Sequence, residues 1–345
     1  MQNGINGNVG INNRTLTGGK ISNESFITLC MLGVLIVLFG LACLFVPNFY
    51  YLQNIINLIT NSWFIIVLGI GVTFLLVTGN FDMSVGGIIA MSGVISVYFS
   101  QTAGTSRSVL DNGLGLPYGV AIALALIAAL IIGAINAFFV TKLKVASIIV
   151  TLGTMSVARG IAQVLTTGSQ RNVNMPDVFG VFGNITVISS IKLAVFIMVA
   201  LVIAAIIVEK NTIFGRRTYL IGANSQAARL SGVKVERHVT ILYLVSSLLA
   251  GLVGILLASE YISGNSNRGM GLEFDALVLV LLGGTSIAGG FGSVSGSVIG
   301  ALILSVVTSS ATGLLLRPEW QYLLKGAIVF IAIMAQRFAL DRRKI

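Results

Sequence analysis

Thr212-Ile-Phe-Gly-Arg-Arg-Thr-Tyr-Leu-Ile-Gly-Ala-Asn-Ser-Gln-Ala-Ala-Arg-Leu-Ser-Gly-Val-Lys-Val235 is a long basic island between two apolar runs, residues 191–209 and 239–260. Its helix-forming residues lie between glycine breaks at Gly222 and Gly232, and Ala227, Ala228, Ser231 and Gly232 give it a smooth face. Such a segment suits a short exposed helix that lies in a groove on another protein. The same charges also suit an ordinary positive inner loop that only fixes topology, and the residues alone leave both readings open.

Outward from this island the chain is membrane-like. Of its 345 residues 56% are hydrophobic and 9% charged, with 40 glycines, far from the profile of a soluble domain. Runs long enough to cross about 30 Å of hydrocarbon fall near 26–46, 59–78, 85–100, 115–141, 146–166, 191–209, 239–260, 274–289, 291–311 and 321–336. The expected fold is therefore an all-α polytopic bundle of about ten spans. The runs 274–289 and 291–311 meet at a glycine-rich turn and are equally readable as a broken or re-entrant pair, which needs protein or a cavity around its backbone.

Charge tests this count. With a cytoplasmic N-terminus, fourteen of the 21 Lys and Arg residues fall on the inner side, and only Arg107, Arg171, Lys192, Arg268 and Arg317 fall outside. That bias puts both termini in the cytoplasm and the chain in a bacterial inner membrane as a multi-pass protein. The net charge of +10 then reflects topology and contact with anionic lipid, not nucleic acid. Residues 1–25 read as a loose cytoplasmic tail, 26–337 as one transmembrane domain with the loop 210–238, and 338–345 as a basic cytoplasmic tail. The first run is too long for a signal-peptide core and no cleavage site follows it, so it reads as an uncleaved span. Cys30 and Cys43 lie within it and read as packed thiols. The only histidine, His238, reads as structural beside Arg237. The polar loops 101–114 and 167–190 are too short for a soluble domain. Without a G-x-x-x-x-G-K-[ST] loop or a metal-spaced His/Cys/carboxylate cluster, the chain is expected to be no enzyme and to bind no nucleotide or metal by itself.

Polar residues inside or beside the spans are the candidates for a conduction path. Asp82 and Ser84 sit in Thr78-Gly-Asn-Phe-Asp-Met-Ser-Val-Gly-Gly87, ahead of an apolar run. There a carboxylate or hydroxyl caps a helix, lines the path for a polar solute, or does both. Phe274-Asp275 repeats the Phe-Asp pair ahead of a second run ending in Gly283-Gly-Thr-Ser-Ile-Ala-Gly-Gly-Phe-Gly292. The echo fits an inverted repeat of spans 2–5 and 7–10, while the glycines by themselves mean only close helix packing. Asn57, Asn61, Asn136, Thr151 and Thr154 add uncharged donors and acceptors that suit a neutral polyol better than an ion, or simply join helices. Arg159 and Lys325, the cations inside runs, are expected to snorkel to the outer headgroups or to pair with an acceptor along the path.

Four motifs in order carry a resemblance: Gly79-Asn-Phe-Asp-Met-Ser-Val-Gly86, Ile149-Val-Thr-Leu-Gly-Thr-Met155, Phe214 to Val233, and Gly271-Leu-Glu-Phe-Asp-Ala-Leu-Val-Leu-Val-Leu-Leu-Gly-Gly-Thr-Ser-Ile-Ala-Gly-Gly290. Over about residues 28–337 the chain resembles the permease subunits of bacterial monosaccharide ABC importers, of the ribose, arabinose, xylose, galactose and autoinducer-2 type. The resemblance implies a pore of two permeases, a second copy or a paralogue, with a pair of ABC ATPase subunits below and a periplasmic binding protein above. The partner ATPase would use ATP and Mg. It also implies that Gly222–Val233 supplies the helix resting on the ATPase, with Gly222, Asn224, Ala227, Ala228, Leu230, Ser231 and Gly232 as the coupling residues. Two positions depart from the family pattern. Ser225-Gln226 stands where an acidic pair is common, which weakens a salt bridge to the ATPase. Gly79-Asn80 stands where Gly-Gly or Gly-Asp is usual, which leaves the solute open. A branched-chain amino acid permease and a secondary transporter using Asp82 or Asp275 for a coupling ion remain the rivals.

Overall fold

The computed structural model describes residues 23–101, 113–167, 170–171, 177–188, 191–317, 319–321, 323–327, 330 and 334. The tail before residue 23, most of the loop 101–114 and the basic tail 338–345 lie outside them, as does part of the run 321–336. Helices follow one another as α1 (Asn23–Phe45), α2 (Leu52–Val77), α3 (Val85–Ser100), α4 (Tyr118–Thr141), α5 (Ser147–Thr166), α6 (Asp177–Asn184), α7 (Leu193–Asn211), α8 (Ile213–Ala223), α9 (Ser225–Leu230), α10 (Val235–Glu260), α11 (Leu272–Leu282) and α12 (Val294–Gly313). Among the described residues four short strands, β1 (Gln170–Arg171), β2 (Thr186–Ile188), β3 (Ile191–Lys192) and β4 (Gly264–Asn265), pair antiparallel as β1 with β4 and β2 with β3. The chain is thus an all-α polytopic membrane protein.

Among the described residues seven helices, α1, α2, α4, α5, α7, α10 and α12, are long and apolar enough to cross a membrane. The other expected spans differ in instructive ways. The run 85–100 forms α3, whose 16 residues reach only about 24 Å. The run 274–289 gives an 11-residue α11 of about 16 Å, half a bilayer. It stops at Leu282 because Gly283 and Gly284 follow, the latter with φ +86°, and a methyl on Gly283 would lie inside the α12 backbone at Gly296. Hydropathy carries through these glycines; helical φ does not.

The core is built on α2 and α10, each 26 residues long and mostly buried. They touch where a Cβ on Gly71 would come within 2.9 Å of Ser246 Cα, and α10 meets α3 where a Cβ on Gly93 would come within 2.9 Å of the Gly254 carbonyl. Such small-residue contacts are how apolar helices associate where lipid is as apolar as Leu. Thr73 Oγ1 and Ser297 Oγ, 2.7 Å apart, join α2 to α12. At the periphery α1 turns Ile36, Val37, Leu44 and Phe45 outward, each at least 61% exposed, as a lipid-facing helix must.

Two ends of the molecule follow from connectivity. At one, α2 ends where the Gly290 amide donates to the Val77 carbonyl at 2.8 Å, beside α8, α9 and the start of α10. At the other, α10 ends on α6, where Ser259 Oγ donates to the Phe179 carbonyl at 2.5 Å and Lys192 pairs with Glu260 at 2.5 Å. After α2 the chain runs without helix from Thr78 to Ser84 and then forms the shorter α3; after α10 it runs without long helix from 261 to 271 and then forms α11. The heads of these two shorter helices meet inside the protein, since a Cβ on Gly86 would strike the Gly269 carbonyl and Glu273.

Candidate functional site

The head of α3 gathers four of the residues singled out in the sequence. Asp82, Ser84, Asn136 and Thr154 are all buried, on the 78–84 segment, α4 and α5. Thr154 Oγ1 donates to Asn136 Oδ1 at 2.6 Å, and Asn136 Nδ2 donates to Ser84 Oγ at 2.9 Å. Ser84 Oγ in turn donates to Asp82 Oδ1 at 2.5 Å, and the Ser84 amide donates to the same oxygen at 3.0 Å. Asp82 Oδ2 accepts from Ser246 Oγ at 2.7 Å, which ties in α10. Asp82 therefore satisfies a backbone donor at the head of α3, one residue before the first helical position. Each hydroxyl proton along the chain Thr154, Ser84, Ser246 has an acceptor, so the network is complete as it stands. Around it Tyr243 Oη donates to the Phe81 carbonyl at 2.9 Å and the Phe81 amide donates to Ser147 Oγ at 3.0 Å. Thr151 is buried beside this group but turns its hydroxyl back to the Ser147 carbonyl at 2.9 Å.

Asn57, Asn61 and Asp275 are not part of this network. Asn57 and Asn61 are exposed near the start of α2, and Asn57 Oδ1 accepts from Gln53 at 3.3 Å. The helix puts Asn57 about 30 Å from Val77. Asp275 pairs with Lys325 at 2.6 Å. Both line a cavity of about 550 Å³ together with Phe81, Met270, Gly271 and Phe274. Lys325 is thus paired, where snorkelling was the first expectation. Arg159 faces an acid too, but more loosely: its Nη2 lies 4.0 Å from Glu273 Oε2, with the Glu273 side chain 4% exposed. Ser246 and Glu273 are what sequence reasoning missed in assembling the site; Arg159 reads in the sequence as snorkelling or pairing with an acceptor along the path, with no partner named. A serine in an apolar run is silent, and an acid at the edge of such a run, as Glu273 is, ordinarily faces water, so nothing in the sequence singles it out as a partner for Arg159.

The basic island forms α8 and α9. Thr212 Oγ1 accepts from the Gly215 amide at 3.2 Å to start α8, and Asn224 Oδ1 accepts from the amides of Gln226 and Ala227, both at 3.0 Å, to start α9. α8 is braced from several sides. Thr218 Oγ1 meets His238 Nε2 at 2.8 Å, Phe214 stacks on the His238 ring at 4.1 Å, and Tyr219 donates to Glu209 and to the Gly292 carbonyl. Glu209 also accepts from the Val294 amide at 3.1 Å, which caps α12. Gly222 is wedged against the Val77 carbonyl and Gly290, so any side chain there would displace one of them. In α9 only Ala228 is buried; Ala227, Ser231 and Gly232 are exposed and Leu230 is 91% exposed. Gly232, with φ +81°, closes the helix. Arg229 and Lys144 flank Glu236 at 2.7 and 3.3 Å and hold this corner on α10.

A polytopic helical protein with a buried polar network at a helix break and an exposed apolar-tipped helix at one end is built as a membrane transport subunit. Its residues 54–333 match the family described as branched-chain amino acid transport system / permease component, and the chain belongs to that family. It is 33% identical over 303 residues to the ribose import permease protein of Escherichia coli (strain K12), covering 87% of this chain and 90% of that one. It is 29% identical over 333 residues to the galactose/methyl galactoside import permease protein of the same organism, covering 94% and 99%. A probable ABC transporter permease protein of Sinorhizobium fredii is 30% identical over 298 residues, covering 86% and 85%. No solved structure matches the chain.

Proposed function

We propose that this protein is the permease subunit of an ATP-driven importer of a monosaccharide, a pentose, hexose or related polyol, in the bacterial inner membrane. The observation that carries the reading is its similarity, over 87% and 94% of its length, to ribose and galactose import permeases. The family is shared with branched-chain amino acid transport, so the neutral hydroxyl and amide chemistry of Ser84, Asn136 and Thr154 adds weight to the sugar.

In this reading ATP, with Mg, is hydrolysed by a separate ABC ATPase that grips α9 through Leu230 and the small residues around it, with Gly222, Asn224, Ala227, Ala228, Ser231 and Gly232 shaping the contact. A periplasmic binding protein delivers the solute to the opposite end, and a second permease, a copy or a paralogue, completes the pore. Movement of α8 reaches the interior because Gly222 touches Val77 and Gly290, and Val77 precedes the segment carrying Asp82. Two long helices of equal length, α2 and α10, run to opposite ends and each is followed by a non-helical stretch and a shorter helix, which supports the inverted repeat. With α3, α11 and the run 321–336 counted as partial or complete crossings, the number is ten. Lys142, Lys144, Lys210, Arg216, Arg217 and Arg237 all flank the α8–α9 end, which supports a cytoplasmic position for it and for both termini.

The test is uptake in cells that carry this chain with an ATPase and a binding protein from the same source. Labelled D-ribose or D-galactose should accumulate and L-leucine should not. Accumulation of leucine without either sugar would hand the protein to the amino acid branch of the family.

A further inference from the structure

The buried polar groups fall into two kinds. The network at Asp82 has its donors and acceptors matched, so it offers nothing to a passing solute without first breaking. The pair Arg159 and Glu273 is the opposite. Arg159 Nε and Nη2 and Glu273 Oε2 are buried with no hydrogen-bond partner. The 4.0 Å separation of Nη2 from Oε2 is well beyond the 2.7–2.9 Å of a charge-assisted hydrogen bond. Leaving such groups unmatched in a low-dielectric interior is costly, and sites where that cost is tolerated are where a ligand is to be held.

The surroundings point the same way. Glu273 lies in the first turn of α11, where its Oε1 accepts from the Gly271 amide at 3.2 Å, while Oε2 lies against Gly86 in the first turn of α3. The amino ends of two interrupted helices thus converge on the pair, the arrangement that interrupted membrane helices use to face a polar solute. Gly271 and Leu272, the start of the same turn, form part of the wall of the 550 Å³ cavity. Arg159 stands twelve residues into α5, about 18 Å along it and so well inside the membrane. A guanidinium edge offers two donors and a carboxylate oxygen offers an acceptor, and at 4.0 Å apart both are within reach of one hydroxyl oxygen lying to the side of the line that joins them. That oxygen would donate to Glu273 and accept from Arg159.

We propose that Arg159 and Glu273 are solute-contacting residues of the translocation path, and that together they bind a hydroxyl group of the transported sugar. The assignment rests on the sugar-import reading above. As a step in a path, the contact must form and release in each cycle, and one neutral hydroxyl held between opposite charges meets that need better than a charged solute, which would bind one partner and repel the other.

The test uses the whole complex, this chain with its ATPase and binding protein in proteoliposomes, with D-ribose, D-galactose and their monodeoxy analogues as probes. Binding-protein affinity is titrated for each probe, and uptake is measured with the binding protein saturated. Wild type, Glu273→Gln and Arg159→Lys are compared; the lysine keeps the charge but loses the fork of donors. Loss of a hydrogen bond to a charged group should slow wild-type uptake of at least one monodeoxy analogue roughly tenfold or more relative to its parent. Each variant should slow the parent sugar and should lose less than the wild type does on going from the parent to that analogue. Three results overturn the assignment: losses that multiply for every analogue, unchanged parent uptake in both variants, or failure of both variants to assemble with the ATPase, which would make the pair a packing element. If the wild-type complex takes up no sugar at all, the sugar-import reading itself falls.

Discussion

At the scale of single residues the decisive contrast is between a closed hydrogen-bond network and an open one. Asp82 accepts from the Ser84 amide, Ser84 Oγ and Ser246 Oγ. Asp82→Asn keeps one acceptor oxygen, and its new NH2 meets a Ser246 hydroxyl that rotates to accept. Asp82→Ala strands all three donors. The alanine variant should therefore lose about 1–3 kcal/mol of stability, while the asparagine variant loses less and retains most of its sugar uptake. Thermal unfolding in detergent and uptake measured side by side check this; normal stability with abolished uptake in both variants would make Asp82 a pathway group instead. The sequence made Asp82, Ser84, Asn136 and Thr154 legible because polar residues in apolar runs must find partners. It could not say that they find one another, and it ranked Asn57 and Asn61 with them because spacing along a helix does not reveal which helix end or face a neighbour covers. Glu273 was illegible for a plainer reason: it stands at the edge of an apolar run, where an acid ordinarily faces water.

At the scale of elements, helix interruption and helix exposure do the work. The motif glycines look alike in the sequence yet act differently. Gly289 and Gly290, with φ +84° and +76°, turn the chain back toward Val77, whereas Gly222 is there because no side chain fits between Val77 and Gly290. Gly222→Leu should therefore break the joint between α8 and the end of α2, costing on the order of 1–3 kcal/mol as overpacking does. The complex should still reach the membrane but show ATPase activity no longer stimulated by loaded binding protein; intact stimulation would show that the joint carries no motion. α9 makes a complementary demand. Leu230 is 91% exposed and Ala228 is buried in its own chain, so Leu230→Asp should weaken capture of the ATPase at least tenfold, as truncating an apolar anchor does, and leave thermal stability unchanged. Equal capture by both proteins would remove α9 from the contact. The basic run and glycine breaks announced a short helix here. They could not announce which of its small residues face inward, because two turns of helix give too short a pattern to fix a face.

At the scale of the whole molecule, the hydropathy runs located most of the helices but not their lengths, and two of them form helices shorter than a full crossing. The run for α3 reads as a span and the run for α11 as a span or part of a re-entrant pair; the helices are about 24 and 16 Å long, because apolar character belongs as much to a helix buried in protein as to one in lipid. The two ends of the bundle give a topological expectation. With Cys30 and Cys43 replaced, a cysteine at Gln226 in α9 should react with an impermeant thiol reagent only from the cytoplasmic side, and one at Thr186 in β2 only from outside; both positions are exposed. Labelling of both from the same side would contradict the positive-inside arrangement. In the proposed function the chain moves a sugar on work done by an ATPase docked at one end. Proteoliposomes holding the permease, ATPase and binding protein, with labelled sugar outside, measure this most directly. Uptake should require ATP and Mg on the ATPase side and be indifferent to an imposed proton or sodium gradient. Uptake that proceeds without ATP and follows an ion gradient would contradict the account.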